Sequence, residues 1–221
     1  MGFLSSLFGH KSKDEYETEK IFRKIDKVLN DDRVQNQYMP KKLKEIIDMT
    51  SLDSLPDAMG QFGRDPRNPI LCNGPLGEVT YLSKLVIPTT EKNFVKVTFH
   101  RTKSLKVNNQ LVVDQYEIIS YDGIFYDVLY LDMYHANKSK SCPKGYQMEK
   151  QCIGFRGTDD TNPNFPCNQY EYARNCAEKM IGTSIFDTQL KNLDMDRAKG
   201  IVNLCRKLGP GSVNWWNPPE K

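Results

Sequence analysis

Three long runs of strand-forming residues, 94–107, 110–121 and 124–134, follow one another with only Asn108-Asn109 and Asp122-Gly123 between them. Asp-Gly between apolar-rich runs is a strong hairpin signal, because a two-residue turn of the right twist needs positive φ at both positions. The meander this predicts fixes which side chains share a face. With two-residue turns, Ile118 opposes Phe99 on one side and Asp127 on the other. Val97, Tyr116, Phe125, Leu129 and Leu131 lie on that same face, which is therefore the expected core. The opposite face carries Lys96, Thr98, His100, Glu117, Ile119, Tyr121, Tyr126 and Val128, a mixed set expected to be covered only in part.

Asp127 interrupts the core face. A carboxylate between Phe125 and Leu129 is costly unless it is hydrogen-bonded, paired or protonated. Three explanations stand open: a bulge or a different turn length that moves it outward, a structural ion pair with Arg101 or a loop arginine, or a functional acid or base. Met133 and His135 continue the same face, and His135 opens a long loop. Asp127 and His135 are about eight residues apart along one strand, too far for a direct hydrogen bond. His100 opposes Glu117, an arrangement that could tune a histidine for proton transfer, though a modest cross-strand pair that stabilises the sheet is the preferred reading.

Helical patterning flanks the meander. Ser12-x-x-Glu15 forms a capping box ahead of Ile21, Ile25, Val28 and Leu29, predicting a helix over 13–30. Pro40 opens a short helix with Leu43, Ile46 and Ile47 facing inward. Further helices are predicted over 170–181, stopped by Gly182, and over 195–208, capped by Asp194 and ended by Gly209-Pro210. A first strand is predicted over 79–87, ended by Pro88. The fold class expected is α+β: an antiparallel β-meander of about four strands, with helices from both ends of the chain packed on one face. The organisation expected is an apolar and basic N-terminal segment, 1–12, followed by one domain, 13–221, with long loops at 49–78 and 136–169. Trp215 and Trp216 are expected to dock the tail onto the body.

Composition excludes more than it identifies. The 221 residues carry a net charge of +3, from 31 basic and 28 acidic side chains, so nothing demands a nucleic acid or a membrane. Lys138, Lys140, Lys144 and Lys150, near Tyr146, Phe155 and Arg156, read as a solubilising loop rather than a nucleic-acid track. No apolar run approaches the roughly 20 residues of a membrane span. Phe3, Leu4, Leu7 and Phe8 could anchor weakly at a membrane, and Gly2 with Ser6 fits the permissive myristoylation pattern. Docking of this segment on the body or on a protein partner is the preferred reading. Without an export signal, the six cysteines are expected to be reduced in a cytoplasm. Cys142, Cys152, Cys167 and Cys176 crowd one loop-rich stretch, which keeps disulfides as the alternative. Cys176 and Cys205 are expected to be buried on helix faces. No C-x-x-C pair exists and the three histidines are scattered, so no metal is expected. Phosphate-loop, dinucleotide, zinc-protease and nucleophile-elbow motifs are all absent, and no cofactor is expected.

The stretch Asn68-Pro-Ile-Leu-Cys-Asn-Gly-Pro-Leu-Gly-Glu-Val-Thr-Tyr-Leu-Ser-Lys-Leu85 is similar to a segment of uncharacterised bacterial proteins of unknown function. So is Asp127-Val-Leu-Tyr-Leu-Asp-Met-Tyr-His135, with Lys144-Gly-Tyr146 downstream. The resemblance implies a bacterial cytoplasmic setting and attaches no activity and no site residues.

Two functions follow as expectations. The first is a non-catalytic protein-binding or accessory module, working through the long loops or the N-terminal apolar segment. The second is a small-molecule or hydrolytic enzyme with its site between loops 64–78 and 136–170. There Arg64, Asp65, Arg67 and Asn73 would bind a polar substrate, with Asp127 or His135 as acid or base. A concave pocket holding a titratable pair is what the second requires.

Overall fold

A computed structural model describes residues 13–89, 93–108 and 111–209. In chain order its elements are α1 (Lys13–Asn30), α2 (Asp32–Tyr38), α3 (Lys41–Lys44), β1 (Ile70–Leu71), α4 (Gly74–Leu82), β2 (Leu85–Pro88), β3 (Phe94–Lys106), β4 (Val112–Ser120), β5 (Tyr126–Asp132), β6 (Gln147–Met148), α5 (Gln169–Ile181) and α6 (Met195–Leu208), with a 3-10 turn at Thr188–Asn192. The strands form one sheet in the order β1-β5-β4-β3-β2-β6. β2 to β5 are an antiparallel meander, β6 adds an antiparallel edge, and β1 runs parallel to β5 at the other edge. The chain is thus α+β with a mixed sheet. Ser12 of the predicted capping box, the segment 1–11 and the Trp215-Trp216 tail lie outside the described residues.

The predicted register holds at its centre, by a compensation the sequence does not announce. Phe99 pairs with Ile118, and Ile118 with Asp127. Yet Val107 N–H bonds to Leu111 O, leaving three positions in the first connection rather than two. A bulge between Arg101 and Lys103 absorbs the extra residue. Thr102, the bulged residue, is stitched across by its hydroxyl to Gln115 O at 3.0 Å. Ser120 N–H bonds to Phe125 O, leaving four positions in the second turn rather than the two expected, and within it Gly123, at φ +66°, bonds back to Ser120 O.

Two further expectations are corrected. Residues 79–82 are helical, belonging to α4, and only Leu85–Pro88 is strand. Nearly every residue of α4 is buried, so its sequence lacks the polar stripe that separates a helix from a buried strand. The helices also cover both faces of the sheet. The C-terminal end of α1, α4 and α5 pack on the face of Val97, Phe99, Tyr116, Ile118, Leu129 and Leu131. α6 covers the other face, setting Ala198, Val202 and Cys205 against Ile119, Tyr126 and Val128. The face expected to be half-covered is therefore a second core. The long loop after β5 helps to close it, with Phe165 stacked on His100 at 4.3 Å.

All six cysteines are free thiols, with Cys176 and Cys205 buried on their helices. Burial pushes the Cys152 thiol up to about 11 and the Cys176 thiol up to about 12. No helix among the described residues is long and apolar enough to cross a membrane.

Candidate functional site

The two carboxylate–histidine pairs of the sheet look alike at first contact and differ at the far side of the ring. His100 on β3 places Nε2 at 2.7 Å from Glu117 Oε2, and its Nδ1 accepts the Asn162 N–H at 3.0 Å. Both ring nitrogens are used. His135, beyond the end of β5, places Nε2 at 3.0 Å from Asp132 Oδ2, but its Nδ1 has no partner among the described residues. A buried nitrogen without a partner costs about 1–3 kcal/mol and is rare enough to call for a reason.

Local chain geometry makes the second pair. β5 stops at Asp132, whose Oδ1 accepts the Tyr134 N–H at 3.0 Å and turns the chain back on itself. His135 thereby swings onto Asp132, three residues before it. The turn is held on two sides by backbone. His135 N–H bonds to Cys72 O at 3.2 Å, and Asp48 N–H to Tyr134 O at 2.8 Å. With Asp132 ionised, its oxygen fixes the hydrogen of a neutral imidazole on Nε2 and leaves the lone pair on Nδ1.

The pair sits in a cleft of about 580 Å³. Its walls come from the segment 46–59, from Arg67, from the β3–β4 connection at Val107, Asn108 and Leu111, and from Asp132, Tyr134 and His135. Asp48 stands beside His135 in a parallel bridge. Its carboxylate is held below the usual range, first by the Thr50 backbone N–H, which it accepts at 2.8 Å.

Of the other candidate site residues singled out by sequence, only Arg67 reaches the cleft. Asp127 is buried in the core face, where Arg64 Nη2 lies 2.8 Å from Oδ2 and the Tyr146 hydroxyl donates to the same oxygen at 3.1 Å. Burial raises the Asp127 carboxyl, and Arg64, the Val128 N–H and Tyr146 hold part of that rise back. The two long loops do meet the sheet at this point, in a packed ion pair, with Arg64 also over the Tyr146 ring at 5.6 Å. Asp65 grips Arg67 through both of its oxygens, at 2.9 and 2.7 Å, and Arg67 alone of this pair reaches the cleft wall. Asn73 is buried and donates to Asn36 Oδ1 at 2.9 Å and Asp32 O at 3.2 Å, joining α2 to α4.

Asp132 escaped the sequence reading. A strand continued through Tyr134 puts Asp132 and His135 on opposite faces, so the pair is invisible until the strand stops. The available signal was Asp-x-x-His at the mouth of a long loop, where an Asp side chain can make the turn. No group of three or more His, Cys, Asp or Glu able to hold a metal occurs among the described residues. The chain matches no protein-family model, no curated protein and no solved structure, so the chemistry of the cleft rests on its own geometry.

Proposed function

We propose that the protein is a small-molecule enzyme, of hydrolytic or related type, in which His135 is the acid–base group and Asp132 its positioning residue. The observation that carries this reading is the buried, unpartnered Nδ1 of His135, a residue of the cleft lining, set against the fully partnered Nδ1 of His100. Nδ1 is closed to solvent, so a small shift of the ring or of a neighbouring wall residue is needed to bring a ligand hydroxyl or water to it, and that contact supplies the missing hydrogen bond. The same lone pair then takes the proton, and Asp132 stabilises the imidazolium that forms. The cleft volume of about 580 Å³ falls within the usual range for small-molecule sites, about 300–1,000 Å³.

A simple assay tests it. p-Nitrophenyl acetate is cleaved by any imidazole with an available nitrogen, which takes the acetyl group as p-nitrophenolate leaves and then yields it to water. In a His10→Gln background, the added change His135→Gln should remove the steady turnover that continues after the free thiols and lysines have been acylated, and His100→Gln in a protein that still folds should not. Equal rates with and without His135 would sink the proposal. The same assay separates this reading from the rival one, a non-catalytic protein-binding module. That rival draws support from α1, where Tyr16, Ile21 and Phe22 are all exposed, and it predicts no turnover that depends on His135.

A further inference from the structure

The charge around the cleft is one-sided. Asp48 and Asp57 are exposed on its wall and Asp132 lies at its base. Arg67 is the only lysine or arginine among the described lining residues, and Asp65 already holds it through two hydrogen bonds. A concave wall that carries carboxylates of one sign focuses their field and concentrates counter-charge. Beside Asn108, Tyr134 and His135, the remaining lining is apolar: Ile46, Leu55, Pro56, Met59, Val107 and Leu111. Ile46 and Met59 stand 64% and 58% exposed at the rim, which is apolar surface that a ligand would cover. His135, a lining residue only 5% exposed, keeps an unpartnered Nδ1 just beneath this surface, an acceptor that a donor ligand would satisfy once the ring or wall shifts. Carboxylates, an acceptor nitrogen and aliphatic walls are complementary to a molecule that is rich in N–H donors, positively charged and apolar along its length.

We infer that the cleft binds an aliphatic amine in its ammonium form, with the charged head toward Asp48, Asp57 and His135 and the carbon chain along Ile46, Leu55, Met59 and Leu111. This rests on the reading of the cleft as the site of His135 chemistry and adds the class of its substrate. Anionic substrates are disfavoured by the same arrangement, because no lining cation of the described residues is left unengaged.

The test uses the whole chain and three probes of one length: hexylammonium, hexanoate and hexanol. Backbone amide spectra should show hexylammonium shifting residues 46–59, 107, 108, 111 and 132–135, with hexanoate producing no shift there. Asp48→Asn combined with Asp57→Asn should weaken hexylammonium binding about tenfold, the factor two solvent-exposed charge pairs supply, and raised salt should do the same. Hexanoate or hexanol binding as tightly as hexylammonium would overturn the inference, as would binding unchanged in the double variant or no binding of any probe. None of these outcomes touches the p-nitrophenyl acetate result, so failure of the charge class and failure of the His135 reading are told apart.

Discussion

Single buried side chains decide much of this structure, and Glu78 is the most exposed to test. It sits on α4 in the core, with the Tyr116 hydroxyl donating to Oε2 at 2.8 Å and Oε1 unpartnered among the described residues. Burial drives its carboxyl well above the ordinary range, with the nearby charge of Asp114 adding to the rise. A folded-state value raised above the unfolded one favours the protonated form. The stability it contributes is therefore complete below the unfolded carboxylate range, near pH 4.5, and is lost as pH rises through the folded value. Glu78→Gln, which mimics the neutral acid, should remove that loss. Urea unfolding at pH 5 and pH 8 checks it: the variant should gain on the parent by about 1–3 kcal/mol more at the higher pH. An identical difference at both pH values would show Glu78 to be ionised and accommodated. Asp127 faces the same cost with a different answer, since Arg64 and Tyr146 reach it. The sequence located that problem residue and included a loop arginine among the answers. It could not say which, because nothing local ties position 64 to position 127.

At the scale of elements, α6 shows how a helix and a titrating group can be one device. Its apolar stripe rests on Ile119, Tyr126 and Val128, and Arg206 in its last turn reaches Glu117 of β4 with Nε at 2.9 Å and Nη2 at 2.6 Å. His100 and the Tyr126 hydroxyl reach the same carboxylate. Burial alone would raise Glu117, but the donors from Arg206, His100 and Tyr126 outweigh it and hold the group at about 2. Here the sign is reversed. The stabilisation is present above the ordinary value of 4.5 and is lost as pH falls from there through about 2. Glu117→Gln should cost about 2 kcal/mol at neutral pH and flatten the acid limb of the stability curve, read by fluorescence-monitored unfolding between pH 3 and 7. If the parent and the variant lose stability in parallel on acidification, the network contributes nothing. The helices themselves were legible from caps and stripes: Asp194 and Gly182 mark ends that the structure keeps. Their destination was not. An apolar stripe says that a helix must be covered, not which of two apolar faces of a sheet will cover it, and α4 lacked even the stripe.

Across the whole molecule, the cleft is the place where distant parts of the chain are tied together, so its geometry is a property of the fold rather than of one loop. Position 135 is bracketed by backbone from positions 72 and 48, and the segment that carries Ile46, Asp48 and Met59 has little regular structure of its own. Asp53 supplies a cluster of the bonds that hold that segment. Its carboxylate accepts the Lys140 N–H, the Ser141 N–H at 3.3 Å and the Ser141 hydroxyl at 2.5 Å. Ser139 adds a bond to Asp53 O at 2.6 Å. Burial would raise Asp53, but the Ser141 hydroxyl and the two N–H groups together hold it low, as expected of an ionised staple. The link joins the two long loops expected to carry function, at residues that no local signal pairs. Removing it should therefore loosen the cleft wall without touching its floor. In Asp53→Ala, amide exchange over residues 50–59 should quicken by about an order of magnitude or more, as expected where a local opening loses several hydrogen bonds. β5 and the His135 ring signals should stay unchanged, and hexylammonium should bind more weakly. Exchange unchanged over 50–59 would mean that the wall is held by its packing alone. Quickened exchange with undiminished binding would place the ligand against the floor, at Asp132 and His135, rather than against the wall.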